Sequence, residues 1–232
     1  MSRRFGLVKD LVLDAVQRYR WWTRGVVSVV LFTSLTFVFA SGAFAYNPVS
    51  AASFADRWVL SSNWCTGRLC FTGSGNDCAN FVSYSLQSGG GYAEVGYPTG
   101  STTDDHNWYV FYNSYYHFYR YTHSWSVAND LYWFEIWHYP GGFLAGTDSG
   151  DAANINDGLI PGDLVFYDWD SNGTQDHVAI QVAHGTDPDK GWYGDLVDAH
   201  TNNRYHAFWS LRPYNSQWRT TTIYKVGIYS GN

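Results

Sequence analysis

Apolar positions recur with helical spacing in two stretches of the first half of the chain. Alanine and aromatic residues between 51 and 59 fall on one face of a helix of about three turns. Asn47 and Pro48, directly before them, are a typical N-cap and first-position proline. The second stretch, 81–86, has apolar residues at i, i+1 and i+5 and ends at three glycines, 89–91. The pattern predicts two helices, the second stopped by the glycine run.

The second half of the chain favours strands. A turn at 158–163 leads into the apolar run 164–167, and a polar loop separates that run from a second one at 177–183. This arrangement predicts an antiparallel hairpin. Further strands are predicted at 196–201 and at 221–229, where β-branched residues alternate. Helices followed by a run of strands indicate an α+β fold with an antiparallel sheet.

The segment between these halves, 107–139, carries fifteen aromatic side chains. A short helix is predicted within it at 126–134. Tyrosine and tryptophan pack well in a core, and they also line grooves that bind sugars or peptides. Both interpretations of the segment remain open from sequence.

The first 45 residues of the 232-residue chain have the pattern of a signal peptide. A long basic stretch precedes an uncharged apolar run at 25–40 and the tripeptide Ala43-Phe44-Ala45. That run has 16 residues, whereas a membrane-spanning helix needs about 20. We therefore expect cleavage after Ala45, a secreted single domain at 46–232 and no stable membrane span after cleavage, with an uncleaved anchor as the alternative.

The net charge of residues 46–232 bears on the classes of macromolecule that the chain can bind. The first 45 residues hold six basic and two acidic side chains, so 46–232 has eight basic against 18 acidic ones, a formal net charge of −10. Such a surface repels phosphate backbones, which argues against nucleic acid as a partner. We expect the mature chain to be a monomer.

The three cysteines are candidates for a disulfide and for a reactive thiol. Cys65 and Cys70 close a short loop, and an exported protein favours a disulfide there. Cys78 is then unpaired, although pairings that involve it remain open. The three cysteines lack the C-x₂-C spacing of a zinc site. Cys78 falls in the first turn of the second helix, where free N–H groups favour a thiolate over a thiol. A buried structural cysteine is the competing interpretation.

A cysteine nucleophile needs a base and a group that orients the base. His177 opens a predicted strand after a polar loop, and His200 lies on the next predicted strand. If these strands pair, His200 is placed to accept a hydrogen bond from the far nitrogen of His177. The competing candidates for the orienting group are Asp198, Asn202 and Asn203.

The polar loop before His177 resembles the front of an EF-hand calcium loop. Its oxygen-bearing residues at positions 1, 3, 5 and 9 are Asp168, Asp170, Asn172 and Asp176. Gly173 occupies position 6, but Ala179 stands where the bidentate glutamate would be. We favour a metal-free turn built on Asx hydrogen bonds, with structural calcium as the alternative and no cofactor required.

Four ordered motifs resemble one known family. They are Asn76-Asp77-Cys78-Ala79-Asn80-Phe81-Val82-Ser83; Trp108-Tyr109 with Ser124-Trp125-Ser126-Val127; Gly162-Asp163 through Asp176-His177-Val178-Ala179-Ile180; and His200-Thr201-Asn202-Asn203-Arg204-Tyr205-His206 with Trp209. Together they resemble the bacterial putative amidase domain family, which is similar to papain-like cell-wall hydrolases. Asn76, Ala79 and Ser85 depart from its pattern without removing a catalytic group.

The resemblance implies a papain-like cysteine hydrolase with N-terminal helices packed on an antiparallel sheet. It assigns Cys78 as nucleophile, His177 as base and His200 as orienting group. The export signal, the single-domain size and this fold suggest a peptide or peptidoglycan of the bacterial cell wall as substrate. The candidate substrate contacts are Asp77, Trp108 and Trp169. Three other functions compete with hydrolysis: acyl transfer to an amine, non-catalytic binding of glycan or peptide, and action as an effector on another cell.

Overall fold

The computed structural model describes residues 46–71, 77–138, 141–152 and 158–230. The predicted signal peptide, 1–45, lies outside the described residues. Within them, helices combine with antiparallel sheets, which confirms the α+β class. Among the described helices, none combines the length and apolar character that crossing a membrane requires.

The described helices are short, and we number them in chain order. They are α1 (Pro48–Trp58), α2 (Cys78–Tyr84), α3 (His123–Ser126) and α4 (Ala128–Trp137). A π-helical turn, Ser85–Gly89, continues α2. The helix predicted at 126–134 is α4, which begins two residues later and runs on to Trp137.

The strands form two antiparallel sheets. They are β1 (Val110–Asn113), β2 (Phe118–Tyr121), β3 (Gly142–Ser149), β4 (Leu164–Asp168), β5 (His177–Thr186), β6 (Tyr193–Ala199), β7 (Arg204–Phe208) and β8 (Thr222–Ile228). β1 and β2 pair with each other, and the other six follow the order β3-β8-β4-β5-β6-β7. The hairpin predicted around the polar loop is confirmed as β4–β5. The sequence did not predict β1 and β2, which lie in the aromatic segment, or β3, which precedes the first predicted strand. It also did not predict β7, which follows β6.

Local chemistry sets the start and the end of the helices as predicted. The side chain of Asn47 accepts a hydrogen bond from the N–H of Ser50 (2.9 Å) ahead of α1. Cys78 is the first residue of α2. The π-helical turn that continues α2 ends at Gly90, whose N–H donates hydrogen bonds to the carbonyl oxygens of Ser85 and Leu86. The glycine run therefore closes the helix as its sequence indicates.

The large sheet is covered on both faces. In β4, Leu164 and Phe166 belong to one apolar cluster, while Val165 and Tyr167 belong to another. This alternation follows from the two-residue period of a strand. The first cluster also contains buried residues of α1, α2 and α4, and the second contains Phe208, the last residue of β7, and Trp209 directly after it. Every residue of β4 is consequently buried.

The aromatic segment divides between core and surface. Trp108 and Trp125 are fully buried with ring centroids 4.8 Å apart, and the indole N–H of Trp108 donates to the hydroxyl of Ser83 (3.0 Å). The candidate role of Trp108 as a substrate contact is therefore wrong, because its side chain has no exposed surface. Tyr115 and Tyr116, at the turn between β1 and β2, are in contrast 81% and 68% exposed.

Candidate active site

The thiol of Cys78 lies where α2 begins, beside the start of β5. A disulfide joins Cys65 to Cys70 and leaves Cys78 free and buried. The backbone N–H groups of Val178 and Ala79 and the hydroxyl of Thr201 lie near its sulfur and favour its charged form. Thr201 Oγ1 also accepts the N–H of Asp77 (3.2 Å). The thiol is thus held at the junction of the helix with two neighbouring strands.

Burial decides the charge of this thiol. Burial raises the pKa of Cys78, and the hydrogen bonds from Val178 and Ala79 lower it by less. The expectation that the helix start would favour a thiolate is therefore not met. The physical reason is that charging a sulfur removed from water costs more than these few donors return. In the resting protein the group is a neutral thiol.

We expect alkylation of Cys78 by iodoacetamide to be slow at neutral pH and still to accelerate above pH about 8.5, the pKa of a free thiol. The reason is that only the thiolate reacts and burial disfavours it. The rate is measured against pH by mass spectrometry, with a short cysteine peptide as reference and Cys78→Ala as the unreactive control. A rate that reaches a plateau below pH 7 would contradict this and indicate a preformed ion pair.

His177 occupies the first position of β5, next to Val178, whose N–H reaches the thiol. Its ring packs against Trp169 (centroids 5.7 Å apart) and Tyr167 (5.6 Å). Burial, and secondly the positive charge of Arg204, lower the pKa of His177 to about 4. The imidazole is therefore neutral at neutral pH and free to accept a proton. Among the described residues, none forms a hydrogen bond with its ring.

A cavity of about 400 Å³ brings these two groups to one surface. Cys78 and His177 both line it. The other lining residues are Trp169, Asp176, Thr201, Asn202, Arg204, Leu211, Tyr214 and Asn215. A volume of this size accommodates a small peptide fragment. Of the three predicted catalytic residues, two therefore reach the same space.

His200 is placed differently from the prediction. Its side chain is buried, its Nδ1 lies 2.9 Å from Oδ2 of Asp77, and its ring stacks on Phe81 at 4.1 Å. Its Nε2 has no hydrogen-bond partner among the described residues. The hydrogen bond expected between His177 and His200 is therefore not formed.

Strand register explains this difference. β5 and β6 are neighbours, as predicted, and Ile180 pairs with Asp198. Continued by two residues, this register sets His200 opposite Val178 and Thr201 opposite His177. Neighbouring residues on a strand point to opposite faces, so the two histidines project from opposite sides of the sheet.

Asp77 is a hub of internal hydrogen bonds. Its Oδ2 accepts the indole N–H of Trp64 (2.9 Å) and faces His200, while Oδ1 accepts the side-chain amide of Asn80 (2.8 Å). Because the protein itself uses both oxygens, a direct substrate contact by Asp77 has no support in this arrangement. Trp169, the remaining candidate contact, does line the cavity.

The loop between β4 and β5 is built on Asx hydrogen bonds. The buried carboxylate of Asp168 accepts the N–H groups of Asn172 (3.0 Å) and Gly173 (2.7 Å). The carboxylate of Asp176 accepts the N–H of Trp169 (2.9 Å). These bonds supply the geometry that the favoured metal-free interpretation requires.

The same loop fits calcium only in part. Asp168, Asp170 and Asp176 each offer one oxygen within 4.8 Å of the others. The side-chain oxygen of Asn172, the fourth expected ligand, instead accepts the N–H of Thr174 (2.8 Å). Three carboxylates without a bidentate partner fall short of the six to eight oxygens that calcium prefers.

Several cavity residues were not identified from the sequence as site residues. Arg204 begins β7, and its guanidinium carbon lies 4.5 Å from the ring centroid of Tyr214. The hydroxyl of Tyr214 in turn contacts both oxygens of Asp187 at 2.8 Å. The sequence signals were position and motif, since Thr201 ends the predicted strand that carries His200 and both Thr201 and Arg204 fall in the family motif that begins there.

Comparison with known proteins supplies a family. The model of the putative amidase domain family matches residues 45–224. An uncharacterized protein of Bacillus subtilis (strain 168), YhbB, is 26% identical over 168 residues, which cover 72% of this chain and 45% of that protein. The chain therefore spans less than half the length of this relative. No solved structure matches.

Proposed function

Because the chain belongs to the putative amidase domain family, we propose that it is a cysteine-dependent amidase that hydrolyses a peptide bond. Cys78 is the nucleophile, and His177 is the general base. The observation that carries the proposal is the shared cavity, which both side chains line. Family membership by itself supports an amidase-like activity, and the cysteine mechanism is the finer proposal.

The proposed reaction has two stages. Neutral His177 takes the thiol proton as the sulfur of Cys78 attacks the carbonyl carbon, and the oxyanion binds to the N–H of Cys78. His177 then gives that proton to the leaving amine as the C–N bond breaks. In the second stage His177 takes a proton from water, whose oxygen attacks the thioester and releases the acid and the thiol. Catalytic hydrogen bonds are often longer without substrate, so rotation of the His177 ring towards the thiol belongs to this proposal.

The fold we propose for this chemistry is papain-like. A cysteine at the start of a helix faces the start of a strand that carries a histidine, and buried residues of α1 and α2 share a core with β4 and β5. We further propose that the protein acts as a secreted monomer on bacterial cell-wall peptide. The disulfide between Cys65 and Cys70 supports an oxidising compartment.

The arrangement at His200 supports a second assignment of the base. Asp77 orients the ring through Nδ1 and leaves Nε2 without a partner, which is the logic of a base held by a carboxylate. His177 has no such orienting group among the described residues. We keep His177 as the base because it reaches the cavity, whereas His200 is only 4% exposed.

Arg204 supports a substrate that carries a carboxylate. Its guanidinium rests on Tyr214, which Asp187 holds in place. Among the described residues, none forms an ion pair with Arg204. An arginine that is fixed by an aromatic ring and lacks an internal carboxylate is suited to bind one from a ligand. A peptide with a free carboxyl end carries such a group.

We expect Arg204→Gln to raise KM for a peptide with a free carboxyl end about tenfold, with kcat changed much less. The same peptide with an amidated end should show no such rise, and this serves as the matched control. Arg204→Lys keeps the charge but loses the two-point hydrogen bonding, so an intermediate KM is expected. An equal rise in KM for both peptides would show that Arg204 does not bind the terminal carboxylate.

The proposal as a whole is tested on peptidoglycan fragments. Hydrolysis adds one water per cleaved amide and exposes a new amino group, and both are visible by mass spectrometry. Addition of an amine nucleophile separates hydrolysis from acyl transfer. A folded protein that binds such fragments without altering them would instead indicate a binding module.

A further inference from the structure

A second group of chemically active side chains lies between α1 and the β6–β7 hairpin. Asp56 comes from the last turns of α1, Asp198 from β6 and His206 from β7. Each offers one ligand atom, and these atoms lie within 4.8 Å of one another. None of the three lines the cavity that holds Cys78.

Asp198 is the unusual member of this group. It is completely buried, and its Oδ1 accepts the backbone N–H of His206 (2.8 Å). Its Oδ2 has no hydrogen-bond donor among the described residues, and the carboxylate of Asp56 lies beside the Asp198 side chain. A buried carboxylate oxygen without a donor is costly, and a second carboxylate beside it increases that cost.

His206 is oriented towards the two carboxylates. Its Nε2 lies 2.8 Å from Oδ1 of Asp56, and its ring stacks on Tyr205 at 4.0 Å. Its backbone adopts φ of 49°, a left-handed conformation that few non-glycine residues take. The strained backbone and the stacked ring together hold the imidazole at this place.

We propose that Asp56, Asp198 and His206 bind one divalent transition-metal ion, for which Zn²⁺ is the best fit. An imidazole nitrogen with two carboxylate oxygens is a common zinc ligand set, and it leaves a fourth position for water. Zinc bonds of about 2.0–2.2 Å keep two ligand atoms within about 4.4 Å, so small side-chain rotations complete the site. The side chains of Asp56 and His206 are 40% and 23% exposed, which gives the ion a path of entry.

The bound ion would join α1 to the β6–β7 hairpin. The turn of that hairpin carries Thr201 and Asn202, and the strand after it begins with Arg204; all three residues line the cavity. A metal at its base therefore stabilises the wall of the candidate site from outside, without taking part in chemistry. This inference does not depend on the proposed amidase activity.

Thermal unfolding with added ZnCl₂ tests the site on untagged protein freed of metal by a chelator. At a Zn²⁺ concentration about 100 times Kd, we expect Tm to rise by about 5–10 °C. Calorimetry should give one Zn²⁺ bound tightly per chain. Binding that is absent from the wild-type protein would overturn the proposal and leave a proton shared between Asp56 and Asp198.

Variants locate the ion. His206→Ala and Asp198→Asn should both lose the rise in Tm, while His106→Ala should retain it. His106 is the matched control because it also contacts two carboxylates, those of Asp104 and Asp105, on an exposed loop. If Asp198→Asn fails to fold, the exposed Asp56→Asn takes its place. A rise in Tm that survives in His206→Ala and in the carboxylate variant would overturn the assignment.

Discussion

Cys78→Ala is expected to abolish amide hydrolysis, lowering kcat/KM for a peptidoglycan fragment by a factor of about 10³ or more. The variant lacks the atom that forms the covalent acyl intermediate, and no other free cysteine is present among the described residues. The helix should persist because alanine fits the buried position and favours helix. The measurement is the rate of product formation by mass spectrometry, at equal protein concentration and with Tm recorded for each variant.

Two controls make this result specific. Cys78→Ser keeps the shape and a hydroxyl but is a much weaker nucleophile, so it should be nearly as inactive. Binding of uncleaved fragments should survive in both variants, because the cavity wall is unchanged apart from one sulfur. Full hydrolysis by Cys78→Ala would show that the thiol is not the nucleophile, whereas activity absent from the wild-type protein as well would favour a binding module.

The second large effect separates the two histidines. His177→Asn is expected to lower kcat about 10²–10⁴-fold, the usual contribution of a general base. His200→Asn should lower kcat much less and Tm more, because its ring fills a buried space between Phe81 and Trp64. The reverse order of the kcat losses would assign the base to the Asp77–His200 pair.

The pH profile gives an independent readout of the same assignment. The pKa of His177 is lowered to about 4, so the imidazole is neutral and able to accept a proton above that pH. For the wild-type protein, kcat/KM should therefore rise as pH increases through about 4, and the protein should lose its activity below that pH. Arg204 contributes to the lowered pKa, and Arg204→Gln should move this rise to higher pH. An acidic limb near 6.5, the value for an unperturbed histidine, would contradict the lowered pKa of His177.

Much of the fold could be predicted because its signals are local. The cap at Asn47, the helix beginning at Cys78 and the glycine run each act through neighbouring residues. The β4–β5 hairpin likewise followed from two apolar runs around a polar loop. β3 and β7 were missed because their alternation is weak, and they gain their place by pairing with β8 and β6.

The candidate site, like the fold, could be predicted from the sequence only in part. The sequence by itself determined which residue types were available, and it placed Cys78 and His177 at the start of a helix and of a strand. Both positions reach one cavity in the structure. Their catalytic roles stay predictions until the variants are measured.

Only the tertiary structure decided which groups meet. The partner of His200 is Asp77 because strand register turns it away from His177, and register is a property of two strands rather than one. The neutral state of the Cys78 thiol follows from burial, which the order of residues in one segment does not reveal. Asp56 likewise meets Asp198 and His206 from a distant part of the chain, and Arg204 lies beside Tyr214, ten residues further on. These contacts depend on how the helices and strands pack, and no local pattern in the sequence predicts them.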